Sequence, residues 1–269
     1  MKSKRRSLKE LACDPRFISG IHNYCDRWCE RCPLTSRFLV YAVEQQQDAE
    51  DPAARDVDNQ AFWKRLEAIL VEAREMLQDL MKEHGIEIEP EDLEKVQARE
   101  RQRDDERRHP CAVAGSEYAK AVGGWFGSAH PRLQERGEML ASQLRMALPS
   151  ADPHGDARRL GDATAVIQWY QHQIVVKIMR AIGSVRREEA RDLCLDGSDA
   201  DGSAKVAMIG IDRSLAAWSE LLRQLPDEED RILSLLAALS RLSRDVEVAF
   251  PGARAFVRPG FDTGDAAGV

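Results

Sequence analysis

No apolar run in this chain approaches the roughly 20 residues that cross a bilayer. Each long hydrophobic stretch is broken by Arg, Lys, Asp or Gln, which argues against a membrane span. A basic excess is also missing: 39 Lys and Arg stand against 46 Asp and Glu, a net charge of −7. That balance argues against a broad nucleic-acid binder. Six cysteines in 269 residues are too few for a disulfide scaffold. The basic start, with Lys2, Lys4, Arg5, Arg6 and Lys9, is followed by no apolar stretch of signal-peptide length, so a cytoplasmic protein is expected. No Gly-x4-Gly-Lys-Ser/Thr, Gly-x-Gly-x-x-Gly or Gly-x-Ser-x-Gly occurs, so the usual nucleotide loops and the hydrolase elbow are absent. Aromatics are sparse at 6%, yet hydrophobic residues reach 43% and charged residues 32%. The chain is too apolar for general disorder and long enough for a real core.

What is present is helix after helix. After Asp58, apolar residues recur at Phe62, Leu66, Ile69, Ala73, Met76 and Leu80, in steps of four and three. Gly85 follows where a helix-ending glycine belongs. Residues 87–110 are a mixed-sign charged stretch, read as a solvated helix or connector. Helical spacing returns over 112–148, where Pro131 predicts a kink or restart, and again over 158–189, 203–225 and the stretch after Asp227. The segment Lys205 to Ile211 has a strand-like composition, but its neighbours Leu215, Trp218 and Leu222 continue at helical spacing. The expected fold is all-α: a bundle of about five long helices. Residues 1–50 form a cysteine-bearing extension, 51–250 the bundle and 251–269 a mobile tail.

One cluster has chemical content. Cys25, Cys29 and Cys32 fall within eight residues, in the spacing Cys-x3-Cys-x2-Cys. If this stretch is helical the three share one face, poorly placed for a disulfide but suited to a soft or borderline cation. An iron–sulfur cluster or zinc is the expected cofactor, with Cys13 or His22 as fourth ligand and Cys111 and Cys194 as distant alternatives. Arg27 and Arg31 flank the site and offset thiolate charge.

The spacing is that of the cluster motif of radical S-adenosylmethionine enzymes, but that family builds a barrel of strands and helices, and the resemblance ends at the three cysteines. A wider resemblance joins Arg16 to Arg37, with its Tyr-Cys-Asp-Arg-Trp-Cys-Glu-Arg-Cys core, to Val166–Gln171 and Asp201–Ser214. Together these stretches resemble a family of uncharacterised bacterial proteins whose pattern carries a further cysteine where this chain has Phe38. The resemblance implies no established activity.

Weaker signals are read as structure. Glu106-Arg-Arg-His109 matches half of a di-iron motif, in a charged segment lacking its partner pair. Asp199-Ala-Asp201-Gly202 resembles the middle of an EF-hand loop, but Gly197 and Met208 fall where ligands are required. Charged residues inside apolar helices are more suggestive: His172, Lys177 and Arg180 on one helix, and Lys205, Asp212 and Arg213 on the next. Three functional expectations follow. The first is a metal-binding protein that uses the N-terminal cysteines, with redox chemistry as one role for the metal; the second is an enzyme with an anion-binding pocket between those two helices. The third is an interaction module whose helical faces recruit a partner.

Overall fold

The structure is a computed structural model that describes residues 14–18, 20–42, 58–83, 85, 90–146, 152–191 and 199–262. Among the described residues every regular element is helical, so the all-α expectation holds. Six long helices follow in order: α1 (Gln60–Glu83), α2 (Pro90–Arg107), α3 (Pro110–Met146), α4 (Pro153–Arg191), α5 (Asp199–Gln224) and α6 (Glu229–Ala249). Before them, among the described residues, lie three short 3-10 turns at Ile21–Tyr24, Cys29–Arg31 and Thr35–Arg37, and α-helical residues at 39–42. None of the described helices is long and apolar enough to cross a membrane.

The chain divides into two compact units. One holds residues 1–22 and 29–102, and therefore α1; the other holds residues 103–269 together with the short segment Asn23–Trp28. In the second unit, α3, α4, α5 and α6 share one core. Trp125 of α3 meets Trp218 of α5 edge to face, with ring centroids 4.9 Å apart. The Trp218 indole N–H donates to the Tyr118 hydroxyl at 2.9 Å, so these two buried polar ring atoms satisfy each other. Burial lifts the Tyr118 phenol to about 12. Ile167, Ile174 and Ile178 of α4, and Ile232, Leu239 and Val246 of α6, complete the interior. Cys111 is buried there as a small apolar side chain, its thiol pushed up by burial.

Several sequence signals find plain structural roles. Helix α3 runs unbroken through Pro131, so the expected kink or restart is not a break in the helix. Lys205 to Ile211 lies inside α5. His109 caps α3: its Nδ1 accepts the Cys111 backbone N–H at 3.2 Å. Asp199 and Asp201 occupy the first turn of α5, where negative charge suits the exposed N–H groups.

Candidate functional site

The segment Asn23–Trp28 is a strap laid on α4 and α5. Its shape is set at Arg27, a non-glycine residue with φ of 57°. A helix does not pass through a left-handed residue. The Asp26 carboxylate closes the local turn by accepting the Trp28 N–H at 3.2 Å.

Four of the six strap residues, Asn23, Tyr24, Asp26 and Trp28, are held from below. The Asn23 carbonyl accepts from Lys177 Nζ at 3.1 Å and from the Arg180 guanidinium at 3.4 Å. The Tyr24 hydroxyl donates to the Asp199 carboxylate at 3.0 Å, and its ring lies 4.8 Å from that of Phe256. A methyl group at Gly202 would fall 2.4 Å from the Tyr24 ring and 2.7 Å from Phe256, so only glycine admits both rings. The Asp26 carboxylate accepts from the Tyr170 hydroxyl and from Arg213, the latter at 2.7 Å. Arg213 also donates to the Tyr170 oxygen and lies over its ring, 5.7 Å from the centroid. The Asp26 carbonyl accepts the Trp169 indole N–H at 3.0 Å. Trp28 stacks on Trp169, with centroids 5.1 Å apart and planes 18° from parallel.

The electrostatics follow from burial. Lys177 is 5% exposed, and burial lowers its amine to about 8. Cys25, 3% exposed, has its thiol pushed up by burial, which outweighs the lowering by the Arg27 backbone hydrogen bond and by Lys177. Burial pushes the Asp199 carboxyl up, but donors from Ser184, Arg180 and Tyr24 outweigh it and hold the group below its ordinary value. The Tyr170 phenol is raised, first by burial and then by Asp26.

This geometry corrects the metal expectation. Among the described residues no group of three or more His, Cys, Asp or Glu side chains is arranged to hold a metal ion. The helical face that was to align Cys25, Cys29 and Cys32 does not form, because Arg27 breaks it and 3-10 turns replace it. Cys25 belongs to the strap as a buried thiol. Cys29 and Cys32 lie in the other compact unit, half-buried, joined by the Cys32 N–H donating to the Cys29 carbonyl at 3.2 Å. The Thr35 hydroxyl donates to both of their carbonyls, at 2.8 Å and 2.6 Å. His22 is solvent-exposed in its own turn. Cys13 and Cys194 lie outside the described residues. Iron–sulfur cluster and zinc are therefore withdrawn as cofactors, and with them the metal-based function.

The six pocket candidates are all ordered, but they serve different neighbours. Lys177 and Arg180 hold the strap; Arg180 also pairs with Asp199 at 2.9 Å. Arg213 pairs with Asp26. Lys205 donates to the carbonyls of Phe256 and Arg254 and pairs with Asp262 at 3.3 Å, while Asp212 pairs with Arg254 at 2.6 Å. These last two tie residues 251–262 to α5. His172 faces solvent. An open groove of about 270 Å³ does run between α4 and α5, floored by Ala163, Ala216 and Ala217. Arg213 alone of the six borders it, opposite Arg159, and both guanidiniums are paired with carboxylates.

Sequence reasoning missed Tyr24, Asp26 and Trp28, which dock the motif, and Trp169 and Tyr170, which receive it. The available signal was the placing of scarce aromatics on either side of Cys25 and Asp26. Three stretches far apart in the chain meet here, through Trp28 on Trp169, Tyr24 on Gly202, and Asp26 between Tyr170 and Arg213.

Comparisons of the chain with protein-family models, with curated proteins and with solved structures find no match.

Proposed function

We propose that this protein is a helical interaction module that recruits a partner through α1. The observation that carries the reading is the exposed apolar row on that helix. Trp63, Leu70 and Leu77 recur every seven residues and are 56, 62 and 58% exposed, with Leu66 at 37% beside them. Side chains seven apart lie one above the other on a helix, so this is a continuous stripe. Trp63, Leu66, Leu70 and Val71 border a surface hollow of about 450 Å³. A contiguous apolar stripe of this kind marks a surface that another protein covers, and helix-in-groove recognition reads side chains at this spacing. The α4–α5 charges, by contrast, are used to hold the strap and residues 251–262 in place, which favours binding over a pocket of converging catalytic groups.

The test is the size of the complex in a cell extract. The native chain is expected to run above its monomer mass on gel filtration. The exposed-face substitution Leu70→Glu together with Leu77→Glu is expected to return it to monomer mass, while the purified variant stays folded and helical. A native chain that runs as a monomer in the extract refutes the reading.

A further inference from the structure

We infer that the partner of α1 is α1 of a second copy of this chain, paired antiparallel; the inference rests on the interaction reading above. Phe62, Leu66, Ile69, Ala73, Met76 and Leu80 alternate in steps of four and three, the a and d positions of a heptad repeat sustained along the helix. The exposed row Trp63, Leu70 and Leu77 then occupies every e position. Arg65, Glu72 and Asp79 occupy every g position. The apolar face is thus a, d and e together, wider on one flank than a simple two-helix seam, and the other flank is charged.

Those two flanks choose the orientation. In a parallel pair each g position lies beside an e position of the other helix. Arg65 would sit against Leu70 and Glu72 against Leu77, setting charge on apolar surface on both sides of the seam. In an antiparallel pair e meets e and g meets g. With a and d in layer, position 66 falls opposite 76, 69 opposite 73, and 62 opposite 80. The same register places Trp63 opposite Leu77 and Leu70 opposite its own copy, so the apolar flank closes on itself. On the charged flank Arg65 falls opposite Asp79 twice, related by the two-fold axis, and Glu72 falls opposite itself. Two attractive pairs outnumber one repulsive pair. The helix is 24 residues long, about 36 Å at 1.5 Å per residue. It is long enough for all of these layers, and the arrangement is closed and self-complementary, as a two-fold dimer requires.

Asp79 is well exposed, its side chain 80% accessible and 3.9 Å from Lys82, so a charge change there leaves the fold of one chain largely untouched. Arg65 and Asp79 are two heptads apart on one helix, about 21 Å along its axis, and do not reach each other within a chain.

The experiment is sedimentation of the purified full chain over a range of concentrations. The native chain is expected to dimerise. Leu70→Glu, which sets two carboxylates face to face in the apolar flank, is expected to weaken the dimer about a hundredfold. Arg65→Glu is expected to weaken it about tenfold, since two attractive pairs become repulsive, and Arg65→Glu with Asp79→Arg is expected to restore it. Restoration by the second charge change is specific to antiparallel register and does not depend on whether Leu70→Glu folds. A purified chain that stays monomeric, or a double variant no tighter than Arg65→Glu alone, overturns self-pairing. If the purified chain is monomeric but the extract still shows a larger complex lost on Leu70→Glu with Leu77→Glu, self-pairing fails and the interaction reading stands; if the extract shows a monomer too, both fail.

Discussion

Replacing Lys177 by methionine should make the protein more stable near neutral pH and flatten its pH dependence in mild base. Lys177 is 5% exposed in the wall beneath the strap, and burial lowers its amine from 10.5 to about 8. A lysine with a depressed folded pKa destabilises the fold while it is charged. The folded state releases its proton first, so stability rises with pH from about 8 to the unfolded value near 10.5. At about 1.36 kcal/mol per unit, the cost at pH 7 is roughly 3 kcal/mol. Methionine is nearly isosteric and apolar, so Lys177→Met removes that cost. It also removes the bond to the Asn23 carbonyl, a loss of about 1 kcal/mol. Arg180 still reaches that carbonyl at 3.4 Å. The net expectation is a gain of about 2 kcal/mol at pH 7, read from urea unfolding at fixed ionic strength. The neighbouring groups define the usable window. The Cys25 thiol is raised by burial, so it opposes the trend as pH climbs past its unfolded value near 9. The comparison is therefore sharpest between pH 7 and 9, where native stability should rise and the variant should stay flat. Parallel curves for the two proteins, or a variant less stable at pH 7, would refute this account of the buried amine.

Three further outcomes test the strap and the corrected cysteines. Asp26→Ala strips Arg213 and the Tyr170 hydroxyl of a shared acceptor and should cost about 2 kcal/mol in urea unfolding; a loss under about 0.5 kcal/mol would show that the contact is decorative. Gly202→Ala should cost about 1–3 kcal/mol by forcing the Tyr24 and Phe256 rings apart. The control Gly137→Ala, which meets no atom within 4 Å, should instead gain up to about 1 kcal/mol, and equal effects at the two sites would contradict the close approach. Chelator treatment should leave Tm unchanged, and Cys29→Ser and Cys32→Ser should each shift it by no more than about 2 °C; a large loss on chelation would reopen the metal question.

The helices were legible because their information is local. The four-and-three spacing from Phe62 to Leu80 needs no tertiary context, and α1 forms over that stretch. Lys205 to Ile211 was resolved correctly by the periodicity of its neighbours. The cysteine cluster misled for the opposite reason. Its alignment on one face assumed a helix, and Arg27 adopts a backbone conformation that local propensity does not announce. The strap was illegible because its partners are distant: Asp26 and Tyr170 are 144 residues apart, and Asp26 and Arg213 are 187 apart. Spacing suggested that Lys177, Arg180, Lys205, Asp212 and Arg213 were unusual, which is true. It did not show that each charge already had an internal partner, since those partners sit on the strap, at Asp199 and on residues 254–262. The exposed row on α1 was hidden behind the more regular stripe beside it, because periodicity identifies an apolar face without saying how much of it stays uncovered.

The most direct test of the central claim is a photo-reactive phenylalanine analogue placed at position 70 in living cells, with one at the equally exposed Val176 of α4 as the control. The account predicts a discrete adduct from position 70, at twice the chain mass if α1 pairs with its own copy, and none from position 176. No adduct from position 70, or the same adducts from both positions, would contradict it.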